Sequence, residues 1–251
     1  TATMKTTERH HLKTNELAQS VARTREVLVE RQRSITAALV VAAVLVVAIA
    51  GYFGQRSRTQ SRAGAMLAEA MAVMTTPVTP PMSTTGGTTP PPQPGAYQTE
   101  AARAQAAIEK FMAAANEYPS TQAGLLARYQ AAVQMAETGK LVDSEQQFLE
   151  LIKLDSSGLF GRMAKLGLAE VQVRAGNFEQ GIKSYNEVVA RPDADLPLDG
   201  VLMQLARAYT VAGKPTEAKQ TLNRIIDEFP QSPYVGEAKR QVEALAGGAS
   251  S

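Results

Sequence analysis

The chain has 251 residues, 44% of them hydrophobic and 20% charged, which is apolar enough for a packed domain and too apolar for a wholly disordered chain. With 0 Cys it offers no disulfide framework, no thiolate zinc site and no thiol nucleophile. The formal charge of +2 hides a division: residues 1–62 carry ten Lys/Arg against four Asp/Glu, and residues 98–251 carry sixteen against nineteen. The part expected to fold is therefore mildly acidic, and nucleic acid is not an expected partner.

Residues 1–34 read as a basic arm. Thr1 is no initiator, so Met4, ahead of KTTERHH, is the expected start. From Asn15 a helix is predicted, with Leu17, Val21 and Leu28 on one face. His10 and His11 are the only histidines and have no third ligand nearby, so no metal role is expected there. Everything downstream lacks an imidazole.

Residues 35–53, ITAALVVAAVLVVAIAGYF, carry no charge. As a helix they reach roughly 28 Å, close to the hydrocarbon core of a bilayer. Ten of them are Val, Ile, Leu or Phe, which together favour insertion by roughly 3 to 6 kcal/mol. A single transmembrane helix is predicted, with Arg31 and Arg33 before it and Arg56 and Arg58 after it at headgroup level. Ala48, Ile49 and Ala50 form an A-x-A pattern before Gly51, and cleavage there would instead release a secreted protein. The leader, thirty-four residues with eleven charges, is long for a signal peptide. Arg23, Arg25, Arg31 and Arg33 precede the span while Arg56, Arg58 and Arg62 follow it. With Lys5, Arg9 and Lys13 added, the bias places the arm in the cytoplasm and the remainder across the membrane. In a bacterium that means the inner membrane and the periplasm.

Beyond the span, Ala63, Leu67, Met71 and Met74 recur at helical spacing, predicting a juxtamembrane helix within residues 54–74. Composition then breaks. Residues 75–96 hold seven of the thirteen prolines, seven threonines and three glycines, so residues 75–97 read as an extended Pro/Thr-rich linker or loop.

From residue 98 to 247 the sequence repeats itself. Gly139, Gly176 and Gly213 are spaced by 37, and so are Phe111, Phe148, Tyr185 and Leu222. A small column runs Ala107, Ser144, Gly181, Ala218, another Ala132, Ala169, Ala206, and an aliphatic column Ala115, Ile152, Val189, Ile226. Each copy predicts two helices. The first closes at the glycine, where a positive φ is needed, and the second carries small, large and aliphatic residues on one face. Neither helix has apolar surface enough to stand alone, so the copies must stack into an all-α solenoid. Ser232 and Pro233 open a closing helix, and residues 248–251 form a tail. Phe111 lies in a second helix with no first helix before it, and the stripe from Gln60 to Met74 is the predicted partner.

These columns resemble the tetratricopeptide repeat family. Its small residue in helix A corresponds to Ala132, Ala169 and Ala206, its small residue in helix B to Ser144, Gly181 and Ala218, its large residue to Phe148, Tyr185 and Leu222, and its terminal proline to Pro119 and Pro230. Arg128, Lys165 and Leu202 replace its early aromatic, only Tyr209 keeps its tyrosine, and the period exceeds the family's. An anchor followed by such repeats is similar to the YfgM-like family of ancillary Sec translocon subunits. The resemblance implies a groove lined by the first helices: Tyr129, Leu166 and Met203 in one row, Val133, Glu170 and Arg207 in the next, Ala136, Val173 and Thr210 beyond. Such a groove takes an extended or helical segment of another protein.

No phosphate-binding glycine motif is present, and Asp193, Asp195 and Asp199 lack EF-hand spacing, so neither catalysis nor a cofactor is expected. The sequence predicts a membrane-anchored scaffold that binds clients, chaperones or complex subunits and contacts lipid through residues 35–53. It would assist translocation or envelope assembly, or alternatively serve as a structural subunit of a larger membrane complex.

Overall fold

The computed structural model describes residues 32–79, 96–190 and 196–247. The arm with His10 and His11, Asp193 and Asp195, most of the Pro/Thr-rich stretch and the tail lie outside the described residues. The helices in chain order are α1 (Gln32–Thr75), α2 (Glu100–Glu117), α3 (Gln122–Glu137), α4 (Leu141–Leu154), α5 (Leu159–Arg174), α6 (Phe178–Val189), α7 (Leu198–Val211), α8 (Pro215–Glu228) and α9 (Val235–Gly247). Among the described residues the only extended pairing is one isolated bridge, Val78 with Tyr97. Contacts divide the chain into Thr1–Arg58 and Thr59–Ser251.

In the first unit the apolar part of α1 is bare. Leu39, Val40, Val44, Val46, Val47, Tyr52 and Phe53 are each more than 60% exposed, and α1 is long and apolar enough to cross a membrane. No break separates residues 35–53 from 54–74. The intervening GQRSRTQSR has one glycine and no proline, too little to stop a helix.

The second unit is a stack of helix pairs. Gly139, Gly176 and Gly213 take φ of 81°, 83° and 71° and close α3, α5 and α7 in the same way. In the first case the Gly139 N–H donates to the Ala136 carbonyl (3.0 Å) and the Lys140 N–H to Met135 (2.8 Å), and the other two turns repeat both bonds. A side chain at positive φ strains against its own backbone, which is why these turns use glycine.

Four apolar clusters then alternate along the stack. Phe148 and Leu151 of α4 sit between Ala132 of α3 and Ala164 and Leu168 of α5. Ile182 and Tyr185 of α6 sit between Ala169 of α5 and Val201 and Leu205 of α7. Leu222 and Ile225 of α8 sit among Leu202, Met203 and Ala206 of α7 and Ala238 of α9. Each first helix thus shares its two sides between successive clusters, so no pair buries its apolar surface without a neighbour. Full burial of Phe148 and Leu222 contributes about 1.5 to 3 kcal/mol each. The small columns permit this closeness. The Ser144 hydroxyl donates to the Ala132 carbonyl (2.7 Å), and a β-carbon on Gly181 would stand 2.9 Å from the equivalent carbonyl of Ala169.

The first pair is assembled differently. Ala70 of α1 joins Ala107, Phe111, Ala114 and Ala115 of α2 and Ala127 and Ala131 of α3, with Met66, Leu67, Val73 and Met74 against them. The Gln60–Met74 stripe does pack on Phe111: Ala63 is fully buried, Leu67 and Met74 lie against the cluster, and only Met71, 42% exposed, gives up its place to the fully buried Ala70. Lys110 pairs with Glu69 at 2.7 Å, and Arg103 donates to the Thr76 carbonyl (3.2 Å). The Thr79 N–H donates to the Tyr97 carbonyl (2.9 Å) and the Tyr97 N–H to Pro77 (3.2 Å), so the Pro/Thr-rich stretch leaves and returns at one place. It is an insertion between paired helices.

Candidate peptide-binding groove

The positions assigned to the groove lie on α3, α5 and α7, and the structure treats them unequally. Tyr129 is half-buried and meets Phe148 edge-on, ring centroids 5.8 Å apart and planes at 61°. Val133 is also half-buried beside that cluster, as are Leu166 and Val173 beside the next. Glu170, Arg207 and Thr210 are exposed, whereas Ala136 is buried. Met203 is 2% exposed and packed among Leu202, Ala206, Leu222 and Ala238, so it belongs to the core and not to a contact surface. The reason is the closing helix: α9 packs on the last pair and covers what an open repeat would display. The packing positions Ala132, Phe148, Ala169, Tyr185, Ala206 and Leu222 are all 0–3% exposed.

The polar chemistry of this face is one of pairing, not reaction. Arg174 lies 4.0 Å from Glu170 and also donates to the Ala136 carbonyl (2.8 Å), tying α5 to the end of α3. Burial, with a smaller contribution from the negative charge of Glu170, raises the Tyr129 and Tyr185 phenols above their ordinary range, so both stay protonated. Asp199 accepts from the Gly200 N–H (2.9 Å) and the Ser232 hydroxyl (2.6 Å), so it ties the α8–α9 connection to α7. Among the described residues no three His, Asp or Glu side chains converge as a metal set.

A cleft of about 260 Å³ opens between α7 and α9, lined by Arg207, Thr210, Val211, Gln241, Ala244 and Leu245. Of these the sequence reading singled out only Arg207 and Thr210, because the others depend on where α9 docks.

The roles of three further residues were not foreseen from the sequence. Arg128, 7% exposed where the family has an aromatic, donates to Gln147 (2.6 Å), the Asn116 side chain (2.9 Å) and the Ala115 carbonyl (3.4 Å). It serves the last turn of α2, whose carbonyl ends favour a cation, while burial pulls the guanidinium below its ordinary pKa. Gly124 and Gly161, themselves 37 apart, press on preceding backbone: a β-carbon would stand 1.9 Å from the Tyr118 carbonyl oxygen and 1.8 Å from that of Asp155. The shared spacing was the available signal.

The sequence profile described as Tetratricopeptide repeat-like domain matches residues 29–193, more than half of the chain and including the apolar stretch. A second profile, Tetratricopeptide repeat, matches residues 201–232. No curated protein matches. Among solved structures the chain is similar to the nearly identical TPR-like repeats of a putative kinesin light chain from Podosopora anserina. The identity is 14%, the coverage 76% of this chain and 97% of that one, and the TM-score 0.51, a likeness of fold alone. It is also similar to a tetratricopeptide repeat protein from Parabacteroides merdae (15% identity, 59% of this chain, TM-score 0.46), of which it spans 56% of the length. A third is the Yersinia enterocolitica type III secretion chaperone SycD in complex with a peptide of the translocator YopD (21% identity, 49% of this chain, 92% of that one, TM-score 0.41).

Proposed function

This chain belongs to the tetratricopeptide repeat-like family, and from that premise we propose that it is a scaffold, anchored in a bacterial inner membrane, whose repeats bind other proteins on the periplasmic side. Repeat solenoids of this kind use an extended face to bind proteins and supply no catalytic group. The observation that carries the membrane part is the bare apolar run of α1, whose large side chains are 53–71% exposed between Leu39 and Phe53. In water that surface costs too much to leave uncovered, whereas in lipid it is matched. The basic arm sets the orientation through the excess of arginine and lysine before the span. Assistance to protein translocation or envelope assembly, as in the YfgM-like family, is the role this architecture fits best.

Placing a photo-crosslinking residue at Glu170 or Arg207 of the full chain in native membranes tests the proposal. Heterogeneous client proteins favour the helper role. A single stoichiometric neighbour points instead to the structural-subunit alternative, and no adduct at either position argues against a binding face. Protease protection of the repeats in sealed inner-membrane vesicles checks the orientation.

A further inference from the structure

The cleft between α7 and α9 combines an apolar wall with one cation that makes no direct ion pair among the described residues. Val211 is 58% exposed, and with Ala244 and Leu245 it forms the wall. Arg207 stands at the rim. Glu237 of the closing helix feels the charge of Arg207 but holds its direct contacts elsewhere: it accepts from Gln241 (2.7 Å) and pairs with Arg240. Arg207 itself forms no hydrogen bond or ion pair among the described residues. At about 260 Å³ the cleft falls below the usual range for a whole small-molecule ligand and suits one large apolar side chain.

Resting on the scaffold reading above, we propose that this cleft is the anchoring notch of the binding face, taking a leucine-sized side chain from a partner segment with an aspartate or glutamate next to it that pairs with Arg207. The acid is a side chain within the segment and not a terminal carboxylate. A chain terminus is held by several converging donors, and here Arg207 stands alone, since the Gln241 amide is spent on Glu237. The complementarity is thus of charge and of shape together: an uncovered guanidinium beside an uncovered apolar wall.

The probe is the peptide acetyl-Gly-Ser-Leu-Asp-Ser-Gly-amide, titrated into methyl-labelled full chain in detergent micelles and followed by NMR. The expected result is saturable shifts at the Val211 and Leu245 methyls. Affinity should fall about tenfold or more when the peptide leucine becomes alanine and about two- to fivefold when its aspartate becomes asparagine. Arg207→Gln should erase the aspartate preference while leucine binding persists, and Val211→Glu should abolish binding with Tm unchanged, since both side chains are exposed. Shifts at Val133 and Leu166 instead would overturn the notch while leaving the scaffold reading intact. Equal affinity for the aspartate and asparagine peptides, or no saturable shift at Val211, also overturns it. If the peptide shifts no methyl and the crosslinks at Glu170 and Arg207 are absent too, both readings fail.

Discussion

The first helix pair and the third reach the same packing by different routes. In the third, α5 and α6 are neighbours joined at Gly176, and the small residues Ala169 and Gly181 cross in register. In the first, α2 takes its partner from the far side of an insertion whose root is held by two backbone hydrogen bonds, yet Ala70 meets Ala107 in an equally closed cluster. The difference teaches that the buried columns specify which helices pair, while the connection specifies only how the chain gets from one to the other. Loop closure grows slowly with length, so an insertion at that point costs little.

The largest test of that equivalence is truncation of the bulky column. Phe111→Ala and Phe148→Ala should each destabilise by about 3 to 5 kcal/mol in chemical denaturation, because both rings are 0–1% exposed. A Phe111 cost far below that of Phe148 would mean the first pair is loose. Next comes Gly161→Ala, whose β-carbon would collide with a backbone oxygen, at about 3 kcal/mol. Gly176→Ala should cost about 1 to 2 kcal/mol through its positive φ alone. Replacing residues 80–95 with four Gly/Ser residues should go the other way and raise stability by about 1 kcal/mol, since residues 79 and 97 are already paired. A clear loss would show that the insertion contributes packing.

The smallest effect is expected from Lys110→Gln, which removes an exposed pair. The Glu69 hydrogen bond raises the Lys110 pKa above its unfolded value. Whatever this pair contributes is therefore present through neutral pH and lost only as strongly alkaline pH passes the raised value. Thermal melts of wild type and variant should converge there.

Much of the fold is legible because repetition multiplies weak signals. One glycine after a helix says little, but Gly139, Gly176 and Gly213 at equal spacing say that three turns are alike, and their φ values agree. The phase of Phe111, Phe148, Tyr185 and Leu222 located the core for the same reason. The face of α1 was harder. Ala63 is buried as the stripe predicts, but Ala70 takes the core place expected of Met71, since hydropathy favours methionine over alanine. A close helix crossing reverses that preference. Arg128 was illegible as a buried group, since a charged residue in an aromatic's place reads as exposed until Asn116 and Gln147 are brought to it. The groove was half legible. Its rows follow from the repeat, but the burial of Met203 and the cleft at Val211 depend on α9, which stands outside the repeat phase.

Because the chain has no cysteine, the packing of α1 on α2 can be read by one pair of introduced thiols. Glu69→Cys with Lys110→Cys in the full chain, treated with a short thiol-specific bifunctional reagent, should crosslink within the monomer rapidly and nearly completely. A Met71→Cys and Lys110→Cys control should lag well behind. Equal rates for the two pairs, or crosslinks formed only between molecules, would contradict the recruitment of α1 into the first repeat.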